Sequence, residues 1–309
     1  MNAWHCLTSC AGSPCDELAA VTNPTRQELN IVPTSSPPRS LLAVPADNPR
    51  LLSSALRRPA DALMPDLEDA VAPAAKEHAR AEVVRFLTDP ATVDTTLLVR
   101  VNDPASEAGR LDLAALAPNA GRLAGVVVPK SSRQSVAAVR EILNVPVLAL
   151  IETAVGVEEA YGIARQDHVV GVLFGSVDYT AELASRGGLH VSELGWAKSR
   201  VVNAAAAGGV WAVAGPRTVL DDEPGLRGEA ETDRSLGFAG KLCVHPGQLA
   251  VVNAAFAPSS EQRAWARRVF DALESDGAAG VLRVDGQMID RPLIEQARSV
   301  LSGPRAVVA

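Results

Sequence analysis

Eight short aliphatic runs, each followed by a stretch of helical periodicity, constrain this chain more than any other feature. The runs are 41–45, 62–65, 96–101, 125–129, 145–151, 169–174, 210–214 and 241–244. They are rich in Val, Leu and Ile without polar alternation, the texture of parallel strands buried on both faces. Between them, Ala79, Val83, Phe86 and Leu87 share one helical face, as do Val136, Val139 and Leu143. Trp265, Val269 and Leu273 form a third stripe, also expected to pack on the sheet, with Ser259 and Gln262 as a capping box ahead of it. Eight β-then-α repeats predict a (β/α)8 TIM barrel, a fold of about 250 residues. An open doubly wound sheet is the alternative. It is disfavoured because no glycine follows the first run, Leu41-Leu-Ala-Val-Pro-Ala-Asp-Asn-Pro49, where a dinucleotide fingerprint would sit. No Walker loop occurs either.

Size and charge narrow the function classes. A chain of 309 residues with net charge −7 has neither the concentrated Lys and Arg of a general nucleic-acid binder nor a need for disulfide or metal staples. The partner expected is a small molecule, and an anionic one is compatible with the net charge, because a few arginines in one pocket outweigh a mildly negative exterior. The longest apolar stretch, Val201 to Pro216, is interrupted by Asn203 and glycines and is too short and broken to span a bilayer. Residues 1–38, rich in Ser, Thr, Pro and Asn, read as a disordered leader. Leu7-Thr8-Ser9-Cys10 resembles a lipoprotein box, but no basic residue or export core precedes it, so a cytoplasmic location is expected. Cys6, Cys10 and Cys15 lack the spacing of a zinc or redox pair, and Cys243 falls inside a predicted strand.

The polar residues are placed with a bias. Asp66, Glu68 and Asp69, then Arg100, Lys130, Glu152, Asp178 and His245 lie at or just beyond the ends of six of the eight runs. In a closed barrel those ends converge on the carboxyl face, where barrel enzymes do their chemistry. Glu152 and Asp178, expected at the ends of neighbouring strands about 4.8 Å apart, can share one small ion. Two carboxylates with open octahedral positions describe a Mg²⁺ site; an ion pair of Glu152 with Lys130 or Arg100 is the alternative. The planar fork of Arg100 suits a carboxylate or a developing oxyanion. Asp66, Glu68 and Asp69 are expected to orient it and to hold metal-bound water. Lys130 fits a Schiff base or a salt bridge, and His245 fits a hydrogen-bonding strut better than a general base. No nucleophile elbow occurs.

Pro45-Ala-Asp-Asn-Pro-Arg50, Asp66-Leu-Glu-Asp-Ala-Val-Ala-Pro73, Val99-Arg-Val-Asn102, Val128-Pro-Lys130, Leu150-Ile-Glu-Thr153, Lys241-Leu-Cys-Val-His-Pro246 and Asp285-Gly-Gln-Met-Ile-Asp-Arg-Pro292 stand in this order. Together they resemble the HpcH/HpaI aldolase and citrate lyase beta-subunit family, in its stand-alone CoA-ester lyase branch. The resemblance runs from about Leu41 to Leu301 and implies a Mg²⁺-dependent barrel that cleaves or forms a carbon–carbon bond between a 2-oxo acid and the methyl of acetyl-CoA. It further implies that Glu152 and Asp178 bind the metal and that Arg100 contacts the oxo acid. Asp290, on a C-terminal helical extension spanning 276–309 beside a catalytic domain of 39–275, would reach a neighbouring subunit's site as general acid/base in a trimer or hexamer. On spacing alone Asp290 also fits a helix N-cap.

The Gly175-Ser176 amides are candidates for the oxo-acid carboxylate, and Arg50, in the loop after the first strand, for the CoA phosphates. Two departures from the family pattern stand out: Ala214 where an aspartate is common, and Pro65 in the second strand, which removes a ladder donor. Competing readings are a class II pyruvate-type aldolase acting without CoA and a non-autonomous citrate lyase beta-like subunit.

Overall fold

The computed structural model describes residues 37–187, 193–276 and 281–302. The leader, apart from Pro37 and Pro38, and the three N-terminal cysteines lie outside the described residues, as do parts of the C-terminal arm.

Eight parallel strands close on themselves: β1 (Ser40–Pro45), β2 (Ala62–Asp66), β3 (Leu98–Arg100), β4 (Gly125–Val128), β5 (Val147–Ile151), β6 (Val169–Phe174), β7 (Trp211–Ala214) and β8 (Gly240–Cys243), with β8 pairing back onto β1. The order follows the chain, so the fold is the predicted TIM barrel and the open sheet is excluded. All eight expected runs are strands, with ends shifted by a few residues.

Helices α1 (Pro49–Ala55), α2 (Lys76–Thr88), α3 (Glu107–Leu116), α4 (Arg133–Ile142), α5 (Ala154–Glu158), α6 (Ala160–Ala164), α7 (Ser176–Ser185), α8 (Gly195–Gly208), α9 (Glu223–Leu236) and α10 (Leu249–Phe256) form the outer layer. The α2 stripe Ala79, Val83, Phe86 and Leu87 is buried against the strands, as are Val136 and Val139 of α4. Each buried side chain of this size contributes about 1.5–3 kcal/mol.

Strand alternation sorts the aliphatic residues into two sets. One, including Leu42, Val99, Val126, Val128, Ala149 and Phe174, faces the helices. The other, Leu41, Ala62, Met64, Leu98, Val127, Leu148, Leu150, Leu173 and Val213, fills the barrel interior. Counting on by twos from the interior set reaches Asp66, Arg100 and Glu152, so the strand period alone turns these three inward at the carboxyl end. The pairing of Asp66 with Arg100 in register places the first two side by side.

The third stripe corrects an expectation. Helix α11 (Ser260–Asp276) buries Val269, with Trp265 and Leu273 alongside, against the hairpin β9 (Leu282–Val284) and β10 (Gln287–Ile289) and against α12 (Arg291–Ser302), not against the sheet. The capping box forms as expected: Ser259 N donates to Gln262 Oε1 at 2.9 Å, and Gln262 N to Ser259 Oγ at 3.0 Å. Hence α11 shares its core with the C-terminal extension, which starts near Ser260 in packing terms. The hairpin turns on Asp285 and Gly286, both with positive φ (52° and 80°), as a two-residue primed turn requires. No described helix is long and apolar enough to cross a membrane.

Candidate active site

The barrel mouth is organised around Arg100 at the end of β3. Its Nε donates to Asp66 Oδ1 at 2.8 Å and its Nη2 to Asp66 Oδ2 at 2.6 Å, a two-pronged pair. Nη1 lies 2.9 Å from Glu68 Oε2 as an ion pair without hydrogen-bond alignment. Burial pulls the guanidinium pKa down, but its hydrogen bonds to Asp66 and the charges of Asp66, Glu68 and Glu152 outweigh it and hold the group above the usual arginine range. Three of five N–H groups thus face carboxylates, and two remain for a substrate oxygen.

Asp66 is 1% exposed, and its oxygens also accept from the backbone amides of Glu68 (2.8 Å) and Ala70 (3.2 Å). With its four acceptor positions taken, Asp66 orients Arg100 and has none left for metal-bound water. Glu68 is buried; desolvation raises its pKa despite Arg100, and Asp69 adds to the rise. Asp69 is exposed.

Glu152 follows β5 and is 3% exposed. Its Oε1 accepts from the backbone N–H of Lys130 at 2.8 Å. Lys130 presents that amide because it adopts a left-handed φ of 43°, a conformation unusual for a side chain of this type and found where surrounding structure imposes it. Desolvation pushes the Glu152 carboxyl up to about 8; the Lys130 amide opposes this, and the charges of Asp178 and Glu68 reinforce it. Asp178 is therefore within electrostatic reach of Glu152, but it stands in the first turn of α7, not at a strand end as expected. Among the described residues no third His, Cys, Asp or Glu joins a metal-binding group. The donor set would suit a hard cation that keeps several positions for water and substrate oxygens: Asp178 acts electrostatically on Glu152, and among the described residues no cationic side chain is hydrogen-bonded to either.

Lys130 Nζ is 3.7 Å from Glu68 Oε1. Burial lowers its pKa, but Glu68, Glu152, Asp69 and Asp178 together raise it above the ordinary lysine value. A Schiff-base lysine needs the opposite shift, which favours the salt bridge with Glu68.

Gly175 caps α7 without a side-chain hydrogen bond, and the first three amides of that helix, from Ser176 to Asp178, have no intrahelical acceptor. The Gly175 amide itself donates to Ile151 O at 2.9 Å, so of the two amides expected to receive a carboxylate only that of Ser176 is free to do so. Gly175 has a different use. A Cβ there would lie 2.4 Å from Glu152 Cβ and 2.8 Å from its Oε2. Gly175→Ala should therefore destabilise the fold by about 1–3 kcal/mol and displace Glu152; thermal unfolding followed by circular dichroism, with cation titration, checks both.

His245 is a strut. Its Nδ1 accepts from Gly247 N at 3.1 Å, and Gln248 ties Val244 N, His245 N and Arg217 O together across the loops after β7 and β8. Arg50 lies in the first turn of α1, not in a loop, and is exposed. Buried Cys243 has its thiol pushed up to about 12 by desolvation and is no nucleophile. Asp290 precedes α12 and its carbonyl accepts from Ile294 N at 3.0 Å. Among the described residues its carboxylate makes no ion pair and does not join the charges acting on Arg100 or Glu152.

Residues 39–246 match the HpcH/HpaI aldolase/citrate lyase family. The chain belongs to this family. A citrate lyase subunit beta-like protein of Deinococcus radiodurans is 37% identical over 280 residues, covering 85% of this chain and 96% of that protein. A (3S)-malyl-CoA thioesterase of Cereibacter sphaeroides is 37% identical over 279 residues, covering 88% and 96%. Among solved structures, CitE of Mycobacterium tuberculosis in complex with magnesium, acetoacetate and coenzyme A superposes with a TM-score of 0.71 at 33% identity, covering 87% of this chain and 98% of that one. The citrate lyase beta subunit of the same organism complexed with oxaloacetate and magnesium gives 0.62 at 32% identity, covering 73% and 99%.

Proposed function

We propose that this HpcH/HpaI family member is a magnesium-dependent carbon–carbon lyase that cleaves, or in reverse forms, a 3-hydroxyacyl-CoA such as malyl-, citramalyl- or citryl-CoA. The products are acetyl-CoA and a 2-oxo acid. The observation that carries this reading is the buried Glu152 carboxylate, under the electrostatic influence of Asp178, at the same barrel mouth as the Arg100 guanidinium that Asp66 holds in place. Relatives crystallised with magnesium and with coenzyme A or oxaloacetate support it.

Glu152 and Asp178 would hold Mg²⁺, which when bound acidifies the substrate hydroxyl and polarises the oxo-acid oxygens. Arg100, already fixed by Asp66, offsets negative charge that develops as the carbon–carbon bond breaks and needs no reorientation to do so. The Ser176 amide, at the N-terminus of α7, receives the oxo-acid carboxylate. Lys130 closes the other side of the mouth, and Arg50 binds CoA phosphates. Asp290 of a neighbouring copy delivers the proton to the departing thioester carbon, or removes it in the reverse direction. This assigns the arm of residues 276–309, including Asp290, to an adjacent barrel in a homotrimer or hexamer. A CoA thioester substrate also favours a cytoplasmic enzyme.

The test is to supply the purified chain with Mg²⁺ and malyl-CoA or citramalyl-CoA and to follow each product. Glyoxylate or pyruvate in equal amount with acetyl-CoA is expected. Free CoA with malate would replace cleavage by hydrolysis, the activity that names the Cereibacter relative. Turnover of CoA-free hydroxy-oxo acids alone would establish the aldolase, and no turnover of any of them the dependent subunit.

A further inference from the structure

We infer that Lys76, acting with Asn102 and Asp112, is the positioning device for the Glu68–Arg100 pair; the inference rests on the reading of the barrel mouth given above. The turn that carries Glu68 is clamped from behind. Leu67 O accepts from Lys76 Nζ at 2.6 Å and from Asn102 Nδ2 at 2.9 Å, and Glu68 O accepts from Lys76 Nζ at 2.5 Å. On its other side Leu67 N donates to Arg100 O at 2.9 Å, so this one residue is held through both of its backbone polar groups, between β3 and α2.

The clamp is itself anchored. Asn102 Nδ2 and N both donate to Asp112 Oδ2, at 2.6 and 2.9 Å, and Asp112, fully buried on α3, accepts from Arg80 Nε at 3.0 Å through Oδ1. These charge-assisted bonds lie in a low-dielectric layer where each is stronger than at the surface.

Lys76 forms no ion pair with a carboxylate among the described residues, although Glu68 is its near neighbour. Its ammonium is directed to two carbonyls, which leaves the Glu68 carboxylate to face Arg100 Nη1 and Lys130 Nζ. Because the Glu68–Arg100 contact lacks hydrogen-bond alignment of its own, the backbone position of Glu68 sets it. Small errors in such supporting contacts degrade a site whose groups must be held to within about 0.5 Å.

The experiment compares wild type, Lys76→Met, which keeps most of the stem and loses the ammonium, and Lys76→Arg, which restores a cation with several donors. Two readouts are taken: steady-state kinetics on the thioester, and solvent exchange of the Arg100 Nη1 protons, which face Glu68, by ¹⁵N NMR, assigned with Arg100→Lys. In Lys76→Met, kcat is expected to fall at least about tenfold with KM within threefold, and the Arg100 exchange to quicken at least about tenfold. Recovery in Lys76→Arg supports the positioning role. Wild-type exchange in Lys76→Met overturns it, whatever the kinetics, and so does a loss of kcat that Lys76→Arg does not relieve. A wild-type protein inactive on thioesters would refute the lyase reading, while the exchange measurement still decides the role of Lys76. Should Lys76→Met fail to fold, Asp112→Asn carries the same expectations.

Discussion

Glu152→Gln and Asp178→Asn are each expected to remove the magnesium dependence of turnover together with turnover itself, at constant fold. The loss should exceed the roughly 10- to 100-fold typical of an outer partner, because a ligand is removed. Retained magnesium activation in either variant, measured by kcat against metal concentration, would sink the assignment. A pH dependence follows from the same residue. The carboxyl of Glu152 sits near 8 instead of its ordinary 4.5, pushed up chiefly by desolvation. The folded chain therefore binds this proton more tightly than the unfolded chain does. In chelator, stability should be highest below about 4.5 and fall as pH rises through about 8. Urea titrations at pH 6 and pH 8 should show that loss in wild type, with a smaller loss in Glu152→Gln. Magnesium competes with the same proton, so its affinity should rise with pH up to about 8 and then level off.

Arg100→Lys is the second large effect. Lysine keeps the charge but loses the planar fork that grips Asp66 through Nε and Nη2. If Arg100 offsets charge that appears only along the reaction path, kcat should fall about 10²- to 10³-fold, or about 3–4 kcal/mol. KM should move far less, since the interaction is stronger in the transition state than in the ground state. A rise in KM with unchanged kcat would make Arg100 a plain binding residue. Arg100→Met should in addition destabilise the protein by about 3–5 kcal/mol, because Asp66 would be left buried without its cation; chemical denaturation measures this.

The barrel was legible because its signal is repetitive: eight aliphatic runs and two stripes, on α2 and α4, that pack where their period puts them. Asp66, Arg100 and Glu152 were legible for a related reason, since strand alternation turns every second residue inward. Asp178 is not at a strand end because β6 stops at Phe174 and Gly175 caps a helix, so the carboxylate lies in the first turn of α7. Asn102 stands two residues beyond Arg100, but its role is not legible locally, because its partner Asp112 is ten positions away on another element. Lys76 and Asp112 gave no local signal at all, as single charges on amphipathic helices ordinarily face water. The α11 stripe is legible as a buried face but its partner, the C-terminal hairpin and α12, is not, since periodicity reports that a face is buried and not by what.

Local patterning by itself determined the strand and helix alternation, the count of eight repeats and the placing of ionisable groups at or near strand ends, all of which depend on neighbours within a few residues. Only the tertiary structure decided which groups meet. The left-handed turn at Lys130 brings an amide to Glu152, the close pass of Gly175 leaves room for that carboxylate, and the clamp of Lys76 and Asn102 holds the turn bearing Glu68. Those contacts join residues far apart in sequence, and their energies depend on burial that exists only once the barrel has closed.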